Sequence, residues 1–229
     1  MTTISANLQA VKARIAAAAR LAGRNPADIA LLAVSKTFPS GCVQEAAAAG
    51  QRAFGENYVQ EGVAKIAVLA GLTLEWHFIG PLQSNKTRPV AEHFDWVHSL
   101  ERLKIAERLS AARGDGRLPL QVCVQVNVSG EASKSGVMPE EAKALAHAVA
   151  TLPNLRLRGL MAIPEPTGDA ALARRRFAAL RELRDALNAD GMRLDTLSMG
   201  MSQDMEAAIA EGATIVRVGT AIFGERKHA

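Results

Sequence analysis

Residues 29–57 read "IALLAVSKTFPSGCVQEAAAAGQRAFGEN". An apolar, β-rich run, "IALLAVSKT" (29–37), leads into an alanine-rich helical stretch near 41–50 and then a second short run, "RAFGEN" (52–57). The same alternation continues to the end of the chain. Further strand candidates are "LEWHFIG" (74–80), "DWVHS" (95–99), "LQVCVQVNVS" (120–129), "LRLRGLMAI" (155–163), "LDTLSMG" (194–200) and "TIVRVGT" (214–220). Helical candidates lie between them near 57–70, 84–93, 101–113, 139–151, 169–190 and 203–211. Pro139 before Glu140 and Glu141, and Ser202 before "QDMEAAIAEG", are helix-start signals. Gly50, Gly71, Gly191 and Gly212 sit where helices should stop. Strand–helix alternation implies a parallel sheet. Eight strand candidates in 229 residues predict an α/β fold, a (β/α)8 TIM-type barrel. A doubly wound open sheet is the competing architecture, but no GxGxxG follows the first strand. No linker or composition break divides the chain, so residues 1–229 read as a single domain.

Composition narrows the function classes. The apolar fraction of 48% supplies a core, and with aromatics at 4% aliphatic side chains and alanine must fill most of it. The net charge of +4 is scattered. The run "RRR" (174–176) lies in a helical pattern and reads as a solvated face, so no nucleic-acid surface is expected. Two cysteines, Cys42 and Cys123, form no metal-binding spacing and no disulfide framework, which suits a reduced, cytoplasmic compartment. No apolar run is long enough to span a membrane. The N-terminal stretch "MTTISANLQAVKARIAAAARLAG" lacks acidic residues and places Ile4, Leu8, Val11 and Ile15 at helical spacing. It resembles a transit peptide, and it reads better as an amphipathic first helix packed on the domain.

A barrel locates its working groups at the C-terminal ends of its strands. Side chains alternate along a strand, so Leu32, Val34 and Lys36 share a face, with Lys36 last, at the mouth. There desolvation lowers a lysine pKa, and a neutral amine can condense with an aldehyde. The alternative is a lysine whose head snorkels into water, and the run by itself favours that reading. Across the barrel, "LSMGMSQDMEAAIAEG" (197–212) reads as strand, glycine turn and short helix. Backbone N–H groups around Gly200 to Ser202 would face an anion, or simply cap a turn. Ser202 and Thr220 add hydroxyls, and Gly200 and Gly219 permit close backbone approach, at the loops where such barrels bind phosphate. Arg217 shares parity with Ile215 and Gly219 and needs an inward partner, either a carboxylate such as Glu56 or a cofactor ring nitrogen. An amine, a phosphate cradle and a buried cation converge on pyridoxal 5'-phosphate (PLP), which carries an aldehyde, a phosphate and a pyridine nitrogen.

The segments "LLAVSKT", "FGENYVQE", "WHFIGPLQSNK", "VNVSGEASKSG", "LRGLMAI" and "LSMGMSQDMEAAIAEGATIVRVGTAIFG" resemble the pyridoxal phosphate homeostasis protein family (the YggS-like proteins) across almost the whole chain. The resemblance implies a barrel similar to the N-terminal domain of alanine racemase, preceded by an extra helix. It implies that Lys36 holds PLP as a Schiff base, with Asn57 beside the cofactor. Ser202, Gly219 and Thr220 match phosphate positions, Met199 and Gly200 match the nearby loop, and Arg217 faces the pyridine nitrogen. It further implies a non-enzymatic PLP carrier and buffer that supplies apo PLP-enzymes. Phe38 stands where a lysine is common in the family.

Two other functions compete. An amino-acid racemase needs a base on each face of the substrate. In alanine racemase the opposing base is a tyrosine from a second domain across a dimer. No such domain is visible here, and the sole tyrosine, Tyr58, adjoins Asn57. Lacking that interface, the chain is expected to be a monomer. A cofactor-free Schiff-base aldolase would use the same barrel, lysine and phosphate site.

Secondary candidates are His77, as a base or a core histidine, and Asn85 and Lys86, as helix caps or ligand contacts. Lys134 is a solvated lysine or an accessory amine; Gln125 and Asn127 are polar groups inside the barrel. Trp76 and Phe78 are expected to pack against helices.

Overall fold

Strand β1 (Ala30–Val34) pairs in parallel with β2 (Ala53–Glu56) on one side and with β8 (Ile215–Val218) on the other. Between these, β3 (Glu75–Phe78), β4 (Trp96–Leu100), β5 (Leu120–Gln125), β6 (Leu155–Met161) and β7 (Thr196–Ser198) follow in chain order and close the barrel. The computed structural model describes residues 3–114, 116–131 and 135–225. The helices are α1 (Ile4–Leu21), α2 (Ser40–Ala48), α3 (Val59–Val68), α4 (Thr87–His93), α5 (Leu103–Arg113), α6 (Pro139–Ala150), α7 (Ala170–Ala189), α8 (Met205–Ala210) and α9 (Thr220–Phe223). Each expected strand is present. All eight strands have bounds that differ from the expected runs, most of them shorter, and two of these differences bear on the site. β1 stops at Val34, so Lys36 stands on a turn and not on the strand; Phe38 N–H closes that turn onto Ser35 O at 3.1 Å. β8 stops at Val218, and Thr220 opens a one-turn helix. Gly50, Gly191 and Gly212 take positive φ just past α2, α7 and α8, whereas α3 ends at Val68 and Gly71 has no left-handed backbone.

Period-2 alternation sorts the strands into two faces. Leu32, Ile79 and Ile215 cluster inside the barrel, as do Trp96, Cys123 and Met161. The outward faces pack under the helices around the fully buried Phe54, Phe78, Phe94 and Phe177. Trp76 lies against Phe54, and Phe78 meets Phe94 edge-on, so both expected packing residues face the helical layer. At the N-terminal end, Trp96 donates its indole N–H to Glu75, and Arg158 stands 4.9 Å over the Trp96 ring while pairing with Asp195 at 2.8 Å.

Helix α1 covers α8 and α9. It buries Leu8, Val11 and Ile15, each worth ~1.5–3 kcal/mol when removed from water. Hydrogen bonds fix its angle: Asn7 donates to Ile222 O at 3.0 Å, and Arg24 to Ile209 O and Ala213 O at 2.8 and 2.7 Å. The amphipathic, packed reading of the N-terminal stretch therefore describes α1. Among the described residues no helix is long and apolar enough to cross a membrane.

Closure of β6 on β7 depends on Gly159, which sits opposite Thr196. A Cβ there would lie 1.8 Å from Thr196 O, and a backbone oxygen cannot rotate away. Gly159→Ala is expected to lower the unfolding free energy by about 3 kcal/mol or more in urea titrations. A loss below about 1 kcal/mol would contradict this close approach.

Candidate functional site

The turn after β1, the end of β2 and the loops after β6, β7 and β8 enclose a cavity of about 580 Å³ at the C-terminal mouth. That lies within the ~300–1,000 Å³ typical of ligand sites. Six of the eight expected site residues line it: Lys36, Asn57, Ser202, Arg217, Gly219 and Thr220. Met199 and Gly200 do not. Met199 is fully buried in the core under the helices. Gly200 (φ 93°) turns the chain beneath α8, where a Cβ would lie 2.6 Å from Ala208 Cβ.

Lys36 is half-buried on the Ser35–Phe38 turn. The next residue, Thr37, has φ 69°, a left-handed conformation that costs a β-branched residue about 1–3 kcal/mol. Its N–H is held by Glu61 Oε1 at 2.6 Å. Phe38 packs its ring 5.3 Å from that of Phe223, so it ties this turn to α9, which follows β8. Asn57 follows β2 and passes close over Gly80, where a Cβ would meet Asn57 O at 2.2 Å. Its Oδ1 is buried and accepts no hydrogen bond from a described residue. A buried acceptor of this kind marks a place for a ligand's donor.

On the far wall, Met201 N–H donates to Asp204 Oδ1 at 2.5 Å. That amide, expected to face an anion, is thus committed within the loop, while Ser202 and Thr220 line the cavity. Burial pushes the Asp204 carboxyl up. Arg14, from α1, also lines the cavity. It donates to Ser202 O at 3.0 Å and to both Glu206 oxygens at 2.8 and 3.0 Å. Sequence reading missed Arg14, because nothing local marks a contact spanning 188 residues.

Arg217 points inward, as its parity predicts. Its partners are neutral: Nη1 donates to Ser198 O and Oγ at 2.5 and 2.8 Å, and Nη2 to Ala162 O at 2.8 Å. The alternative of a pair with Glu56 is excluded, because Glu56 faces the helices and pairs with Lys65 at 2.7 Å. Burial pulls the guanidinium down to about 10, so it stays charged at neutral pH. From Arg217 a hydrogen-bonded row crosses the barrel interior. Ser198 Oγ lies 2.7 Å from His98 Nδ1, and His98 Nε2 lies 2.8 Å from His77 Nδ1. His77 Nε2 faces Glu75 Oε1 at 3.7 Å, beyond hydrogen-bond reach, and is buried without a hydrogen-bond partner among the described residues. Arginine can only donate, so Ser198 donates onward and each histidine passes its N–H toward Glu75. His77 and Trp96 hold Glu75 below the usual carboxylate range. His77 is thus a core histidine with partners and not a base at the mouth.

Asn85 and Lys86 form a short 3₁₀ turn before α4 and do not line the cavity. Gln125 and Asn127 hold the loop after β5 through Ser135 O and Glu131 O. Lys134 lies outside the described residues. Among the described residues no cluster of metal-ligating side chains occurs.

The fold and mouth define a barrel of the alanine racemase N-terminal type, and the alanine racemase N-terminal domain family matches residues 6–227. The chain belongs to the pyridoxal phosphate homeostasis protein family: it is 65% identical over 228 residues to that protein of Pseudomonas aeruginosa, covering 100% of this chain and 98% of the relative. The structure of PipY from Synechococcus elongatus with PLP bound is 42% identical, with a TM-score of 0.80, covering 92% of this chain and 100% of PipY. Alanine racemase of Corynebacterium glutamicum, at 18% identity and a TM-score of 0.69 over 97% of this chain and 62% of the enzyme, shares the fold alone.

The interior row has a consequence for acid stability. Burial, then the neighbouring His77 and Arg217, hold His98 well below its ordinary value of 6.5. The unfolded imidazole binds a proton below 6.5 and the folded one does not, so stability is full above that pH and is lost as pH falls. Below it, the urea-unfolding free energy of the wild type should drop about 1.4 kcal/mol per pH unit more steeply than that of His98→Asn. Parallel pH slopes would contradict a neutral His98.

Proposed function

We propose that this chain binds PLP in the mouth cavity, holds it covalently through Lys36, and stores and supplies it to apo PLP-enzymes without catalytic turnover. The observation that carries this reading is the convergence of Lys36, Arg217, Ser202 and Thr220 on one cavity from opposite walls. PLP supplies an aldehyde that condenses with a lysine amine, releasing water, together with an anionic phosphate and a ring nitrogen. The side chains present fit those three groups. Ser202 and Thr220 offer hydroxyl donors to the phosphate, and Gly219 lets this rim approach β1 closely, since a Cβ there would lie 3.1 Å from Val34 O. Asn57 offers its buried Oδ1 as an acceptor. Arg217 offers only donors, so it favours an unprotonated ring nitrogen and a weak electron sink. That supports storage over carbanion chemistry.

Further support comes from the relatives, which are named for PLP homeostasis, and from PipY, whose structure contains PLP. Tyr58 is 57% exposed and does not line the cavity, which tells against a racemase-type second base from that residue. We place the protein in the cytoplasm, in keeping with free Cys42 and Cys123, and read residues 1–229 as one monomeric domain.

Protein loaded with PLP should absorb in the visible range, and Lys36→Ala should not. Borohydride reduction should fix the cofactor's mass on the peptide containing Lys36. Label on another lysine would move the attachment site. Interconversion of alanine enantiomers at ordinary enzyme rates would replace storage with racemisation.

A further inference from the structure

The turn that carries Lys36 is held from beneath by three charged side chains that do not line the cavity. Ser35 O accepts from Lys65 Nζ at 2.7 Å, and Ser35 Oγ donates to Glu56 Oε1 at 2.6 Å. On the other side of Lys36, Thr37 N–H donates to Glu61 Oε1 at 2.6 Å. Lys65 Nζ joins the two anchors, standing 2.7 Å from Glu56 Oε1 and 2.7 Å from Glu61 Oε1. Both neighbours of Lys36 are therefore tied to one ammonium on α3.

Two features show that this cluster does more than fill space. Glu56 and Lys65 are 0% and 5% exposed. A buried ion pair seldom repays its desolvation in stability, so fold stability alone is a poor reason for it. Glu56 Oε2 is also buried without a hydrogen-bond partner among the described residues, a further cost carried at this spot. The second feature is the backbone of Thr37. It occupies the third position of the turn with φ 69°, where glycine is the usual residue. Such strain persists only where the surroundings over-determine the conformation. Here the anchor is the Glu61 carboxylate on the Thr37 amide, locked in turn by Lys65.

We propose that Glu56, Glu61 and Lys65 form a positioning cluster for Lys36. They keep the Ser35–Phe38 turn in its strained form and so aim the Lys36 side chain into the cavity. The proposal rests on the reading of Lys36 as the aldehyde-binding amine. It assigns these three residues an indirect role, through the backbone on either side of Lys36. Because Glu61 and Lys65 lie one turn apart on α3, a shift of that helix would be transmitted to Lys36.

The test uses the full chain loaded with PLP, mixed with excess hydroxylamine as an aldehyde trap, and follows the loss of visible absorbance. Hydrogen exchange at the Thr37 amide and the melting temperature are recorded alongside. Glu61→Ala should release PLP about tenfold faster and speed Thr37 exchange by about the same factor, the size of one hydrogen bond to a charged acceptor. Glu61→Gln keeps an oxygen acceptor and should recover most of the slow release. Thr37→Gly placed in the Glu61→Ala background should do so too, since glycine takes positive φ without an anchor. A purely structural role would lower the melting temperature without either rescue. Release from Glu61→Ala at the wild-type rate, or failure of both rescues, overturns the proposal. If the wild type forms no covalent link at all, the storage reading falls, and Thr37 exchange decides positioning by itself: faster exchange in Glu61→Ala sustains it, and equal exchange ends it.

Discussion

The parallel pairing of β1 with β8, which sets Leu32 beside Arg217, is the constraint from which the site follows. It closes the barrel and brings residues nearly two hundred positions apart onto one rim. Without it, Lys36 and Arg217 would share no cavity. Helix α1 reinforces the same junction from outside. Its Asn7, Arg14 and Arg24 bind backbone oxygens around α8 and α9, the elements that follow β7 and β8. Phe38 against Phe223 adds a contact from the β1 turn itself.

Inside the barrel, a guanidinium among aliphatic side chains needs compensation. It comes from neutral acceptors and a directional row of hydroxyl and imidazole groups ending near Glu75. The hydrogen bonds from Arg217 through Ser198 and His98 to His77 Nδ1 hold these side chains in one arrangement, and His77 Nε2 is left facing Glu75 without a hydrogen bond among the described residues. Arg217 consequently presents itself to the cavity as a fixed, charged donor. On the opposite side of the β1 rim a separate charged cluster, Glu56 with Lys65 and Glu61, governs Lys36 through its backbone. Lys36 and Arg217 are thus supported by independent networks, one beneath the helices and one inside the barrel.

Much of this architecture was legible from residue types and spacing. The eight strands, the helices between them and the inward parity of Arg217 follow from periodicities of 2 and 3.6, which are local properties. The mouth placement of Lys36, Ser202 and Thr220 follows from the rule that such barrels work at their strand ends. Less was legible about what these side chains touch. Glu56 looked like a partner for Arg217, yet its parity turns it to the helices and Lys65. Met199 and Gly200 lie in the expected loop but outside the cavity lining, Met199 in the core and Gly200 in the turn beneath α8.

What the amino-acid sequence by itself determined is the order of strands and helices and the identity of the amine, cation and hydroxyls at the rim. Local chemistry suffices for these, since each strand declares its inward face through its own neighbours. Only the tertiary structure decided that Arg14 joins the cavity wall, that His77 and His98 form a row ending on Arg217, and that Lys36 sits on a strained turn anchored to α3. Those contacts join elements far apart in the chain, and their hydrogen bonds depend on distances and angles that exist once the barrel has closed.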